Sequence, residues 1–184
     1  MPPSSPPRPD VSSITDDVLL LRVRSGDEDA FAELYERWAP RLLRAAWRLV
    51  ESRADAEDVL HDVFVALPRA VQRFVPDGRA GAWLIQCTTR AALMKLRGDR
   101  RRRESPMPAA ELIADAGAED RALLLDLERR LAAVPVSLRT VLVLHRLEGF
   151  SHAEIAQTLG ISEGSSRVRL TRALAMLSTP SPAR

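Results

Sequence analysis

The sequence predicts an all-α protein: two small helical domains joined by a flexible linker. Three observations carry that prediction. Hydrophobic residues make up 46% of the 184 residues, but aromatics only 4%. Ala, Leu and Arg dominate and β-branched alternation is sparse, which favours helix over strand. Apolar residues recur at steps of three and four through the long segments, as one face of a helix requires. Composition breaks at Gly98, where GDRRRRESPMPAAELIADAGAED is charged, then rich in proline and alanine, with no sustained stripe. The expected boundaries are a disordered leader over 1–15, a first domain over 16–98, a linker over 99–118, a second domain over 119–178 and a tail over 179–184.

The elements follow in order. DDVLLLRVRSGD predicts a short helix ending at Gly26. Ser25 and Glu28 have the spacing of a capping box that opens the next helix. Phe31, Leu34, Trp38, Leu42, Ala45, Ala46 and Leu49 keep a helical stripe to about Val50, with a kink expected at Pro40. A third helix is expected near Asp55, with Asp55 and Asp58 as cap and first-turn acid. Val59, Val63, Ala66, Leu67 and Val71 would be its inward face, and Pro68 should bend or break it. FVPDGRAGA, Phe74 to Ala82, is a loop by its proline and glycines. A fourth helix runs from about Trp83 to Arg97, packing Trp83, Leu84, Cys87, Ala91 and Leu96 and turning Arg90, Lys95 and Arg97 outward.

Beyond the linker, helices resume near Glu119 and end in SHAEIAQTLGISEGSSRVRLTRALAML, Ser151 to Leu177. This reads as a helix-turn-helix. Ser151 and Glu154 form a capping box, and Ile155, Ala156 and Leu159 make a short apolar face. Gly160 supplies the positive φ of a tight turn, Ile161 plugs the angle and Ser162 caps the second helix. On that helix Ser166, Leu170, Ala173, Leu174 and Leu177 form the buried stripe. Ser165, Arg169 and Arg172 share a neighbouring face, with Arg167 beside them. A unit of this size can lay one helix in a DNA major groove, where arginine grips phosphate or forks onto guanine. The competing assignment is a solvated basic face on an ordinary helix pair.

Charge and cysteine narrow the classes. The formal net charge is +2 and the pI about 9.3. Bases cluster at Arg100 to Arg103 and on the last helix, and acids at Asp27 to Asp29 and Asp55 to Asp62, so local patches matter more than net charge. A single cysteine, Cys87, excludes an internal disulfide and a multi-cysteine zinc site, and its apolar context marks it as packed. His61, His145 and His152 are scattered, so no metal, cofactor or catalytic residue is expected. No apolar run approaches a membrane span, and the Pro- and Ser-rich start lacks a signal-peptide core, so a cytoplasmic protein is expected.

DAFAELYERWAPRLLRAAWRLVESRADAEDVLHDVF resembles the second conserved region of bacterial sigma factors, most closely the extracytoplasmic-function (group IV) branch. ADAEDVLHDVFVAL resembles that family's polymerase-binding helix, and GAWLIQCTTRAALMKLRGDRRR its minus-ten helix. AAVPVSLRTVLVLHRLEGFSHAEIAQTLGISEGSSRVRLTRAL resembles the fourth region, which reads the minus-thirty-five element. The resemblance runs from Asp16 to Leu177 with both regions in order.

It implies a non-enzymatic initiation factor that binds core RNA polymerase, at the clamp coiled coil of the largest subunit and the flap of the second, and promoter DNA. An anti-sigma factor is the further partner it implies; no small-molecule substrate and no direct membrane insertion are expected. Asp55, Glu57, Asp58, His61 and Asp62 would face the polymerase. Arg79, Trp83, Arg90, Lys95 and Arg97 would serve the minus-ten strand, with Trp83 either a stacking platform or a core anchor. Ser165, Arg167, Arg169 and Arg172 would serve the minus-thirty-five duplex.

The chain departs from the family pattern in places. CTTR puts Arg90 where an asparagine is usual, His61 replaces a glutamine, and Pro68 a helix former. GSSRVRL stands for GTVKSRL, so Ser166 replaces a packing valine and Val168 a polar residue. The rival functions are a free-standing helix-turn-helix regulator, which leaves the first domain without a job, and a sigma-like module that sequesters an anti-sigma factor.

Overall fold

The computed structural model describes residues 14–50, 52–99 and 128–178. The expected leader up to 13, the linker from Arg100 with its Arg100 to Arg103 run, the start of the second domain over 119–127 and the tail over 179–184 lie outside them. Every described element is helical.

The first domain packs four α-helices around one core. α1 (Asp16–Arg24) is capped by Thr15 and buries Leu19, Leu20 and Val23. α2 (Glu28–Val50) carries the stripe expected of it, burying Leu34, Trp38, Leu42, Ala45, Ala46 and Leu49, and Pro40 lies inside one continuous helix. Its cap is Asp27, whose Oδ1 accepts from Ala30 N at 2.9 Å, and not Ser25. The Ser25 hydroxyl instead donates back to Leu21 O at the end of α1. Asp27 sits nearer the helix start and also binds Arg22.

α3 (Arg53–Ala70) also starts before its expected cap: Ser52 Oγ accepts from Asp55 N, so Asp55 lies inside the first turn. Its inward face is Ala56, Val59, Leu60, Val63, Phe64 and Leu67, whereas Ala66 is exposed. Pro68 sits in the last turn and the chain tightens into a 3₁₀ turn over Val71–Arg73.

α4 (Ala80–Asp99) begins earlier than Trp83 because a distant residue caps it. Asp17 of α1 accepts from Gly78 N at 2.7 Å and Ala80 N at 3.1 Å, supplying the acceptor that the helix start lacks. α4 buries Leu84, Ile85, Thr88, Thr89 and Ala92. Trp83, Cys87, Ala91 and Leu96 are half-buried.

The second domain is described from a helical stretch over 128–132. α5 (Val136–Leu142) follows Pro135 and runs on as a π turn over Val143–Leu147. α6 (His152–Leu159) and α7 (Glu163–Ser178) form the helix-turn-helix. Both arms of the Ser151–Glu154 capping box are present, and Gly160 holds φ 66° at the turn. Ser162 Oγ accepts from Ser165 N at 3.1 Å, as a cap should. Ser166, Leu170 and Ala173 are buried; Leu174 and Leu177 are half-buried.

The two domains touch. α2 packs on α5, and α4 on α6. The Arg139 guanidinium, 1% exposed, donates from Nη2 to Leu49 O at the end of α2 (2.9 Å) and from Nη1 to Ala132 O (3.1 Å).

Candidate polymerase and promoter surfaces

The acidic face of α3 divides into paired and open groups. Lys95 Nζ of α4 lies 3.0 Å from Asp55 Oδ1 and 2.9 Å from Asp58 Oδ2. Burial pulls the lysine down, but these two hydrogen bonds outweigh it and hold Lys95 above its ordinary value. Glu57 pairs with Arg53 one turn away, at 2.9 Å. His61 and Asp62 are exposed and make no hydrogen bond or ion pair among the described residues. Beside them Phe31, Tyr35 and Phe64 make edge-to-face ring contacts at 5.8 and 4.8 Å, and Val65 is 65% exposed. Acid and apolar surface thus lie together on this face of α3.

Of the five minus-ten candidates, the fold brings Arg79 and Trp83 together. Both line a cleft of about 290 Å³ with Arg73, Phe74, Asp77 and Gln86. Trp83 is half-buried and its ring lies 5.2 Å from that of Phe74, so it is both a helix anchor and a wall of the cleft. Arg90 and Arg97 are exposed on the same helix. Lys95 belongs instead to the carboxylates of α3. Cys87 is buried enough to push its thiol up to about 11, despite the Arg90 charge; it is packed and unreactive.

On α7, Arg169 and Arg172 have no ion-pair partner among the described residues, whereas Arg167 pairs with Glu163 at 2.8 Å. Ser165 accepts from the Ser162 hydroxyl at 3.0 Å, which draws it into the cap. Ser166, where a valine is usual, is fully buried, and its Oγ lies 2.8 Å from His152 Nδ1. The His152 ring stacks on His145 at 4.5 Å. His145 Nδ1 in turn donates to Phe150 O at 2.7 Å.

Sequence reasoning missed several residues that build these surfaces. Asp17 holds Gly78 and Ala80 from 61 and 63 positions away. Arg41 and Arg48 of α2 reach Glu148 of the second domain, and Arg79 pairs with Glu154. Sequence spacing carries no signal for such contacts. Among the described residues no group of three or more His, Cys, Asp or Glu could hold a metal ion, and no helix is long and apolar enough to cross a membrane.

A helical unit with an acidic helix, followed by a helix-turn-helix unit, is the two-region plan of a sigma factor. The family described as "Sigma-70 region 2" matches residues 34–102, and "Sigma-70, region 4" matches residues 124–177. The chain is 34% identical over 159 residues to RNA polymerase sigma factor CarQ of Myxococcus xanthus, covering 83% of this chain and 90% of that protein. It is 30% identical over 163 residues to the ECF RNA polymerase sigma factor SigM of Mycobacterium tuberculosis, covering 89% and 83%. Among solved structures it is similar to CnrH in complex with the cytosolic domain of CnrY: TM-score 0.63, 31% identity, covering 89% of this chain and 94% of that one. The chain belongs to the extracytoplasmic-function RNA polymerase sigma factors.

Proposed function

We propose that this sigma factor divides its work among three surfaces. The exposed end of α3, Glu57, His61 and Asp62 with Val65 beside them, docks on the clamp coiled coil of core polymerase. The Arg79–Trp83 cleft, with Arg90 and Arg97 along α4, receives the minus-ten strand: an aromatic wall offers a stacking surface and the arginines neutralise phosphate. Helix α7 lies in the minus-thirty-five major groove, led by Arg169 and Arg172, with Ser165 and Arg167 toward the backbone. Asp55, Asp58 and Lys95 hold α3 against α4 and serve both surfaces by positioning. The chain is cytoplasmic and performs no catalysis; RNA synthesis belongs to the polymerase. CnrH is seen in complex with the cytosolic domain of CnrY, and a protein partner of this chain, an anti-sigma factor, fits the same class.

The observation that supports this division is the separation of open charge: Asp62 is open on α3, and Arg169 and Arg172 on α7. A free-standing regulator would have no use for the first. Run-off transcription tests it. Core polymerase should start at specific promoters only when this chain is added. Asp62→Arg should weaken core binding at least about tenfold, since a close interfacial charge pair is worth more than about 1.5 kcal/mol. The same variant should leave minus-thirty-five duplex binding unchanged. Absence of core binding by the unaltered chain would sink the proposal.

A further inference from the structure

The domain boundary holds an ionic arrangement that neither polymerase docking nor duplex reading requires. Glu148, at the end of the π turn, is 4% exposed at its side chain. Its Oε2 lies 3.0 Å from Arg41 Nη2, and its Oε1 3.9 Å from Arg48 Nη1. Arg41 also lies over the Trp38 ring, 5.2 Å from its centroid. A second carboxylate, Glu154 at the start of α6, binds Arg79 on the rim of the Trp83 cleft. Glu154 and Gln157 line that cleft too, closing it from the second domain.

The signs are uniform. Among the described residues, each ion pair across the boundary puts a cation on the first domain and a carboxylate on the second. Glu154 divides its two oxygens: Oε2 accepts from Ser151 N to cap α6, and Oε1 faces Arg79. Hydrogen bonds from the Ser151 hydroxyl and backbone, more than Arg79, hold this carboxyl below its ordinary value, so it is ionised at neutral pH.

We infer that the second domain carries an internal mimic of the promoter strand. In the free protein Glu154 closes onto Arg79 and covers the Trp83 cleft, while Glu148 closes onto Arg41 and Arg48 and holds the two domains together, and nucleic-acid phosphate must displace Glu154 from the cleft. This rests on the assignment of that cleft to the minus-ten strand. A carboxylate is the nearest side-chain counterpart of a phosphate for arginine. The arginine ends of these pairs stay partly exposed, so each pair is weak and open to salt, and a clasp made of a few can be reversed by a stronger polyanion. Closure joins parts of one chain, so it competes at a high effective concentration.

The test uses the full chain with Cys87→Ser, Val65→Cys and Met176→Cys, spin-labelled on the exposed faces of α3 and α7. The unaltered boundary should give one short, narrow distance population at low salt. Glu148→Gln with Glu154→Gln should give a longer, broader one, as should about 0.5 M salt, where screening acts within a few ångströms. Glutamine at 154 keeps the capping box, so α6 stays formed.

Binding of a fluorescent single-stranded minus-ten oligonucleotide is the second readout. The double variant should bind about tenfold tighter, as expected if about a tenth of the unaltered protein is open. Glu36→Gln with Asp29→Asn makes the same change of net charge at two exposed carboxylates of α2 that have no ion-pair partner among the described residues, and should alter affinity less than about twofold. A broad distribution in the unaltered protein at low salt overturns the clasp. Opening without a gain in strand affinity overturns the masking. A strand that binds neither form overturns the masking together with the minus-ten assignment, while the distances report on the clasp alone.

Discussion

Gly81 shows how one missing atom shapes the start of α4. A Cβ there would lie 2.3 Å from Trp38 Cη2 and 2.8 Å from Cζ2. The Trp38 ring is buried in the core and cannot swing aside. Gly81→Ala should therefore destabilise the protein by about 1–3 kcal/mol in urea unfolding, the range for overpacking a filled core. Gly164→Ala is the control. Its nearest neighbour is 3.9 Å away and its backbone is helical, so alanine should be neutral or stabilise by up to about 1 kcal/mol. Equal losses at both sites would refute the packing account. The sequence marked Gly81 only as a loop breaker. It lies in the first turn of α4 because Asp17 caps that helix from across the domain. Spacing could not reveal such a partner, nor that Trp38 fills the space over the glycine.

At the scale of elements, legibility follows how local each signal is. The Ser151–Glu154 box and the left-handed Gly160 act within a few residues, and both stand as read. The starts of α2 and α3 were misread by a few positions, since several capping residues compete at each and only packing chooses among them. Ser166 looked like a loss of packing. In the fold its hydroxyl has a partner, His152, 14 residues earlier on α6.

The surroundings of His152 should make the second domain acid-sensitive. Burial, then the charges of His145 and Arg167, hold His152 below its ordinary value of 6.5 against the pull of Glu163. As pH falls through 6.5 the unfolded chain takes up the proton before the folded one. Stability is therefore unaffected well above 6.5, declines below it, and bears the full cost only below the folded value. Urea unfolding between about pH 7.5 and 5.5 should show the second domain losing stability, with a shallower loss in His152→Asn. Glu154 loses its contribution only as pH falls below its ordinary 4.5, outside that window. Identical pH profiles for the two proteins would remove His152 from the account.

Across the whole molecule, the two domains were legible in the sequence because each carries its own apolar stripes. Their docking was not, because it depends on pairs such as Arg139 and Leu49, 90 residues apart. Arg139 is a charged residue on the buried side of α5, and helical periodicity gives no reason to expect a guanidinium there. It meets carbonyls that lack helical partners: Leu49 O ends α2, and Ala132 O lies beside the turn before α5. Arg139→Met keeps much of the volume and removes the donors. If the domains are docked in solution, Leu49 O is left buried and unsatisfied, and the loss should be about 1–3 kcal/mol per stranded group. Calorimetry of the full chain should then show the second domain melting earlier and less coupled to the first. If the domains stand apart, water satisfies Leu49 O and the substitution should cost only what the contact to Ala132 supplies. Repeating the scan at about 0.5 M salt separates the contributions: once the Glu148 and Glu154 pairs are screened and the boundary opens, water reaches Leu49 O, and Arg139→Met should lower the second melt less than it does at low salt.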